Sequence, residues 1–336
     1  MIEALVTAGL ALAQLVLLVA LAPGVNGLIK RVKAILQGRH GPPLLQPYFD
    51  LLKLLRKDAV ISEHASAVFR FAPAVYASAF ATSALLVPAL WLPAPLGGWG
   101  DAVVLVGLFA LARFAVALAG LDTGSAFGGM GSSREVAIAA LAEPALLLAL
   151  FAVAWRAGGT DVSGMASYLV SHDAGAFAPS QLLAAAAVFI AVIAETGRVP
   201  VDNQDTHLEL TMIHEGMLLE YSGRPLGILM WASLVKQIVL FSLMIALFVP
   251  FGIASASPEI PVALGAFVVK LAGLAHDTAL MAYLLDPGEA WTVTGPGGRE
   301  PSRSRPSSSA RWRWGVPVVR AWRLSAASPP RTAAEV

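Results

Sequence analysis

AVVLVGLFALARFAVALAGL, residues 102–121, is apolar throughout except for Arg113. A transmembrane helix needs about 20 such residues to cross the hydrocarbon layer. Similar runs recur along the chain, and they predict seven spans: 2–28, 71–92, 102–121, 136–155, 182–196, 226–251 and 261–285. The fifth is short unless it runs back to about Pro179 or on into the polar segment that follows. Because only helices satisfy the backbone across so many apolar runs, we predict an all-α integral membrane protein of about seven transmembrane helices.

Composition supports this class. The chain is 57% hydrophobic and 13% charged, with a formal net charge of +1 and no cysteine. These values are typical of integral membrane proteins and give no indication of nucleic-acid binding. The lack of cysteine excludes disulfides, thiolate zinc sites and cysteine-ligated iron–sulfur clusters within this chain. Any redox centre is therefore expected in another subunit.

The segment between the first two spans, residues 29–70, is strongly basic and contains a short amphipathic stretch. Apolar residues recur there at helical spacing, namely Leu44, Leu45, Tyr48, Leu51, Leu52 and Leu55. Lys53, Arg56 and Lys57 take the other side. Because the stretch is too short and too charged to span, we predict a helix that lies in the plane of the membrane interface.

Loop charges predict the orientation. The basic segment 29–70, Arg134, Arg198 and Arg224 all fall on one side of the predicted spans. By the positive-inside rule this side faces the cytoplasm and Met1 lies outside.

The end of the chain differs from the predicted transmembrane domain, residues 1–286. Residues 287–336 are rich in Pro, Ser and Arg and have no apolar periodicity. This composition predicts a disordered, low-complexity tail. The alternatives are a basic arm that contacts anionic lipid or a partner, and a shifted reading frame, in which case these residues are not the native ending.

A polar island, residues 195–224, separates two apolar runs. Its core reads ETGRVPVDNQDTHLELTMIHEGMLLEYSG (195–223) and holds six carboxylates. At 100° per residue Glu209 and Glu220 share one helical face, about 16 Å apart along the axis. His207 and His214 share roughly the opposite face. The pattern predicts a half-buried helix that presents acids in a row, and the alternative is a solvated loop.

Ionisable residues also lie inside the predicted spans. They are Arg113, Glu143, Lys236 and Lys270, with Glu135 and Glu195 at span ends. Charges are rare in hydrocarbon because each costs a few kcal/mol, so several together favour a buried polar track. The alternative is simple pairing across the bundle, for instance Arg113 with Glu143. Lys236 and Lys270 either extend the track or neutralise Glu195 and Glu220.

No independent catalytic or metal site is predicted. The glycine-rich stretch 128–133 lacks the strand and the Lys-Ser/Thr pair of a phosphate loop, so it predicts a tight cytoplasmic turn capped by Ser132 or Ser133. His207 and His214 are not spaced as a pair of metal ligands on one helix.

Three segments together resemble a known family. GRHGPPLLQPYFDLLKLLRKDAV (38–60), FGGMGSSREVAIAALAEPALLLAL (127–150) and the island core (195–223) resemble the membrane subunit shared by respiratory complex I (its subunit 1) and energy-converting membrane-bound hydrogenases. The resemblance covers roughly residues 1–275. Gly41-Pro42-Pro43 runs straight into Leu44-Leu45-Gln46-Pro47, and this detail is most similar to the formate hydrogenlyase and hydrogenase-4 branch.

The resemblance implies a function. The chain would anchor a peripheral arm in the prokaryotic cytoplasmic membrane and couple electron transfer there to proton or sodium translocation. The partners implied are hydrogenase-like large and small subunits, a ferredoxin-like iron–sulfur subunit and antiporter-like membrane subunits. A [NiFe] centre and iron–sulfur clusters are expected in those partners, and no cofactor is expected in this chain.

The resemblance also implies roles for individual residues. The family's proton path maps onto Glu143, Glu195, Asp202, Glu209, Glu215 and Glu220. The paired cations are expected to be Arg198, Arg113, Lys236 and Lys270. The docking surface for the peripheral arm is expected at Arg39, Gly41, Pro42, Gln46, Pro47, Asp50 and Lys53.

Two departures and three alternatives accompany this interpretation. Gln204-Asp205 replaces a Pro-Ala pair typical of the branch, and the basic F-R-x-P segment and last helix of the family are missing. The alternatives are the quinone-site subunit of complex I, a free-standing secondary transporter and a purely structural anchor. The lack of internal repeats argues against the transporter.

Overall fold

The computed structural model describes residues 2–38, 41–63, 65–171, 178–198, 201–202, 213–249, 253 and 260–285. Arg39, Glu209 and the tail 287–336 lie outside the described residues. The predictions made for them stay predictions.

Helices make up about four-fifths of the described residues. They are α1 (Ile2–Leu36), α2 (Gln46–Leu55), α3 (Ala67–Leu86), α4 (Ala102–Asp122), α5 (Ala126–Ala157), α6 (Val162–Ser171), α7 (Pro179–Glu195), α8 (His214–Leu218), α9 (Gly223–Phe248) and α10 (Ile260–Leu285). Six of them, α1, α3, α4, α5, α9 and α10, are long and apolar enough to cross a membrane, and α7 is a shorter apolar helix. The predicted all-α membrane fold is therefore confirmed, and the fifth predicted span does begin at Pro179.

Two helix boundaries differ from the prediction. The first span was predicted to end at about residue 28, but α1 continues to Leu36. At 1.5 Å per residue, its 35 residues are about 52 Å long. This is more than the hydrocarbon thickness of about 30 Å, so the basic end of α1 projects beyond the apolar layer.

The second difference concerns the glycine-rich stretch. The turn predicted at 128–133 is wrong, because α5 begins at Ala126 and includes these residues. A Cβ on Gly128 would collide with the Gly120 carbonyl of α4, and a Cβ on Gly131 would lie 2.9 Å from the Ile213 carbonyl oxygen. Ser132 caps nothing and donates a hydrogen bond to the Ala117 carbonyl at 3.0 Å. The small residues serve close backbone packing within a helix.

The core is centred on α9. This helix packs against α1, α2, α3 and α7, and its residues 235–243 are buried without interruption. A helix that is buried all round lies at the centre of a bundle. The run includes the polar pair Lys236 and Gln237, which α9 therefore carries into the interior.

The predicted amphipathic helix is α2, which packs against α1 and α9. Tyr48 donates a hydrogen bond to the Ala20 carbonyl of α1 at 2.6 Å. At its other end, a Cβ on Gly227 of α9 would lie 3.2 Å from Leu54. These contacts hold α2 against both α1 and α9.

Candidate functional site

The charged residues of the spans come together in one group, the ion cluster, which comprises Arg113, Glu135, Glu143, Glu195 and Lys236. Four helices supply them: α4, α5, α7 and α9. Arg113, Glu195 and Lys236 are buried, and the side chain of Glu195 is 0% exposed. Packing of α5 against α4 and α7 brings these elements to one place.

Arg113 is the centre of the ion cluster. Its Nε donates to Glu135 Oε1 at 3.1 Å, its Nη1 donates to Glu143, and its Nη2 donates to Glu195. A guanidinium offers five donors in a fixed plane, so one arginine can serve three carboxylates at once. Lys236 Nζ adds a second cation, 3.1 Å from Glu195 Oε2.

The ion cluster carries an imbalance of charge. With every group ionised, three carboxylates face two cations, and the sum is −1. A net charge is costly away from water, and uptake of one proton would remove it. The cluster is thus suited to exchange a proton without leaving a cation unpaired.

Polar atoms beside the ion cluster lack partners. Glu195 Oε1, Tyr76 Oη and Gln237 Nε2 are buried and have no hydrogen-bond partner within the described part of the chain. An unsatisfied buried polar group costs about 1–3 kcal/mol. Such groups are uncommon in folded proteins, and a functional role is one of the reasons for which they are kept.

A cavity of about 210 Å³ adjoins the ion cluster. Glu135, Glu195 and Lys236 line one part of it, and Pro47 and Asp50 of α2 line another. A water molecule occupies about 30 Å³ in the liquid, so the cavity has room for several. It connects the surface at α2 with the ion cluster.

The acids of the polar island are dispersed. Buried Asp202 accepts hydrogen bonds from the backbone N–H groups of Ile213 and His214, at 3.2 and 3.1 Å, and so holds the start of α8. Exposed Glu215 lines the cavity. Exposed Glu220 lies in a turn beyond α8, so the predicted helical face does not extend to it.

His214 begins α8 and is half-buried beside the cavity. Burial lowers the pKa of this histidine, because the charged form loses solvation. The ring therefore favours the neutral form near pH 7.

The predicted cations have different surroundings. Lys236 pairs with Glu195, and the predicted pair of Arg113 and Glu143 is present. Lys270 instead donates to the Val249 carbonyl at 2.6 Å. Arg198 lines the cavity with its Nη2 3.5 Å from Asn26 Oδ1.

The residues expected to dock the peripheral arm surround α2. Gly41 and Pro42 are half-exposed, Pro47 is buried, and Lys53 is exposed. Gln46 donates to Asp50 Oδ1 at 2.9 Å across one helical turn. Their docking role stays a prediction.

Sequence reasoning omitted three residues from the site. Glu135 was noticed only as the start of a span, although it is two helical turns from Glu143 and so lies towards the same side of α5. Gln237 follows Lys236 directly. Tyr76 carried no signal, because a lone tyrosine in an apolar run is ordinary core.

Comparison with known proteins fits this architecture. Residues 8–282 match the family model described as NADH dehydrogenase. Formate hydrogenlyase subunit 4 of Escherichia coli (strain K12) is 37% identical over 72% of this chain and 77% of its own length. Hydrogenase-4 component C of the same organism is 38% identical over 72% and 75%. An NADH-quinone oxidoreductase subunit of Koribacter versatilis (strain Ellin345) is 30% identical over 62% and 50%.

A solved structure shares the fold. It is a chain of the membrane-bound sulfane sulfur reductase, an archaeal respiratory membrane complex, with a TM-score of 0.68. The match covers 86% of this chain and 95% of the other, at 20% identity. The predicted resemblance, including its lean towards the hydrogenase branch, is confirmed. This multi-pass membrane protein belongs to the NADH dehydrogenase family, of the complex I subunit 1 type.

Proposed function

We propose that this chain is the membrane anchor and ion-coupling subunit of a hydrogenase-type respiratory complex in a prokaryotic cytoplasmic membrane. It would link electron transfer in a peripheral arm to translocation of protons or sodium ions. The observation that carries the proposal is the ion cluster, in which three carboxylates share two cations between four helices.

The partners proposed follow from the relatives at 37 and 38% identity, which are named as components of formate hydrogenlyase and hydrogenase-4. They are hydrogenase-like large and small subunits, a ferredoxin-like subunit and antiporter-like membrane subunits. The [NiFe] centre and iron–sulfur clusters would belong to these partners. This chain would supply the path for the ion.

Arg113 gives the ion cluster a way to pass charge. When Glu143, which contacts Arg113 alone, takes a proton, its hold on Arg113 Nη1 weakens, and the guanidinium is drawn more strongly to Glu135 and Glu195. Loss of that proton restores the original balance. A change of charge on α5 is thereby felt on α7, without any side chain crossing the bundle. The cavity would supply the water through which the proton arrives.

The test is coupling, measured in the assembled complex in liposomes. We expect Glu195→Gln and Glu143→Gln to keep most hydrogen-dependent dye reduction and to lose at least tenfold in ion translocation per electron. Glu63→Gln, at an exposed loop position, is the matched control and should leave both unchanged.

Other outcomes would contradict the proposal in different ways. Unchanged translocation in both cluster variants, in a complex that assembles normally, would make the ion cluster structural. Purification with NADH-dehydrogenase partners and quinone-dependent activity would assign the chain to complex I. Transport by the chain alone in liposomes would indicate a secondary transporter.

A further inference from the structure

Helix α2 presents two separate apolar faces. Pro47 and Leu51 point into the bundle and are buried. Leu45, Phe49 and Leu52 are instead 59, 61 and 50% exposed. These three positions are spaced i, i+4, i+7 and fall within about 60° on the helix. We call them the α2 stripe.

The rest of α2 divides cleanly. Exposed Lys53 lies on a polar flank beside the α2 stripe, and exposed Lys57, just beyond the end of α2, continues that flank. Exposed Arg56, the first residue after α2, continues the stripe. At 100° per residue, the buried face, the stripe and the polar flank form three distinct sectors. A helix with three such sectors is suited to a line where protein, lipid and water meet.

The depth of α2 follows from its neighbours. The backbone of Leu44 touches Gly27 of α1, and Tyr48 reaches the Ala20 carbonyl. Gly27 lies three residues, or about 4.5 Å, before Lys30, the first basic residue of α1, and Ala20 lies ten residues, or about 15 Å, before it. Helix α2 therefore lies alongside the apolar part of a spanning helix, next to the point where its basic end begins.

We propose that the α2 stripe inserts among the acyl chains of the inner leaflet, and that Arg56 and Lys57 bind the phosphates of anionic lipids. At this depth the neighbours of the α2 stripe are acyl chains and not water. Lipid can therefore cover these apolar side chains without displacing water from them. The basic residues match the negative headgroups, and each such residue near an anionic surface strengthens attraction about fivefold. This lipid site is independent of the ion cluster.

The chain lacks cysteine, so single nitroxide labels can be attached at chosen positions of the full-length protein in nanodiscs. Labels are attached at Phe49→Cys, Leu52→Cys and the adjacent Lys53→Cys. The ratio of collisions with oxygen to collisions with a water-soluble nickel chelate should be several-fold higher at the first two positions than at the third. Equal nickel access at all three positions would overturn the proposal, because the stripe would then face water.

Two further measurements complete the test. In the assembled complex, a fall in access to both reagents at Phe49 and Leu52 would show that a partner protein covers the stripe, and this also overturns the proposal. Native mass spectrometry should find more phosphatidylglycerol than phosphatidylcholine retained by the wild type. The combined Arg56→Gln, Lys57→Gln variant should lose that preference. Equal retention of both lipids by the wild type would refute the headgroup contacts.

Discussion

Arg113→Lys keeps the charge of the ion cluster but removes the guanidinium that bonds three carboxylates at once. Arg113 uses three nitrogens for three carboxylates, whereas the single nitrogen of a lysine can stay close to only one of them. We therefore expect two contacts to be lost. A hydrogen bond to a charged group contributes about 1.5–3 kcal/mol, so the free energy of unfolding should fall by about 3–6 kcal/mol. This range overlaps the loss of about 3–5 kcal/mol typical of breaking a buried ion pair.

The measurement is reversible unfolding in mixed micelles, with increasing SDS in a mild detergent. Arg70→Lys makes the same substitution at an exposed position of α3 and should change the unfolding free energy by less than about 0.5 kcal/mol. Acidification should reduce the difference in the free energy of unfolding between Arg113→Lys and the wild type, because protonation neutralises the carboxylates left without a cation. If Arg113→Lys has the same free energy of unfolding as the wild type, or if its loss of stability does not depend on pH, the central role of Arg113 is refuted.

Three further predictions concern local packing and titration. Gly128→Ala should destabilise by about 1–3 kcal/mol, because its Cβ would collide with the backbone of Gly120. Gly129→Ala, whose Cβ would make only an ordinary van der Waals contact with Leu121 at 3.9 Å, should be neutral or stabilising by up to about 1 kcal/mol. Both are read from the same unfolding curves. Asp202→Ala should lower stability by at least about 1.5 kcal/mol through loss of its hydrogen bonds to the start of α8, and faster hydrogen exchange at the amide of His214 would locate the effect. Because burial lowers the pKa of His214, the unfolded chain takes up a proton first as the pH falls. The wild type should then lose stability relative to His214→Gln on acidification through the ordinary histidine range, and parallel pH profiles would contradict this.

Much of the fold follows from apolar run length. Each predicted span corresponds to a helix, because a stretch of about 20 apolar residues has few stable alternatives to a helix in a membrane. The exception at Gly128–Ser133 shows where local reasoning stops. Glycine and serine favour turns in isolation, but here they allow α4, α5 and α8 to approach closely, and such tertiary packing overrides local propensity.

The site was only partly accessible to sequence reasoning. The pair of Arg113 and Glu143 could be anticipated, since charges inside spans need partners. The sequence does not say which helices are neighbours, so Glu135 was left out and Lys270 was included. Glu220 resembled its acidic neighbours in the sequence, but it lies in an exposed turn.

The ion cluster also constrains how the protein is made. Arg113 and its partners Glu135 and Glu143 belong to consecutive helices, so α4 and α5 can enter the bilayer together as a hairpin in which the charges already meet. Glu195 follows on α7, before Lys236 has been synthesised, and finds a cation only at the Arg113 of that earlier hairpin. A chain whose hairpin drifted away from the insertion site would strand a carboxylate in lipid, at a cost of a few kcal/mol. Arg113, which organises the finished site, therefore also sets an order of assembly. The hairpin of α4 and α5 must stay beside the insertion site until α7 has entered the membrane.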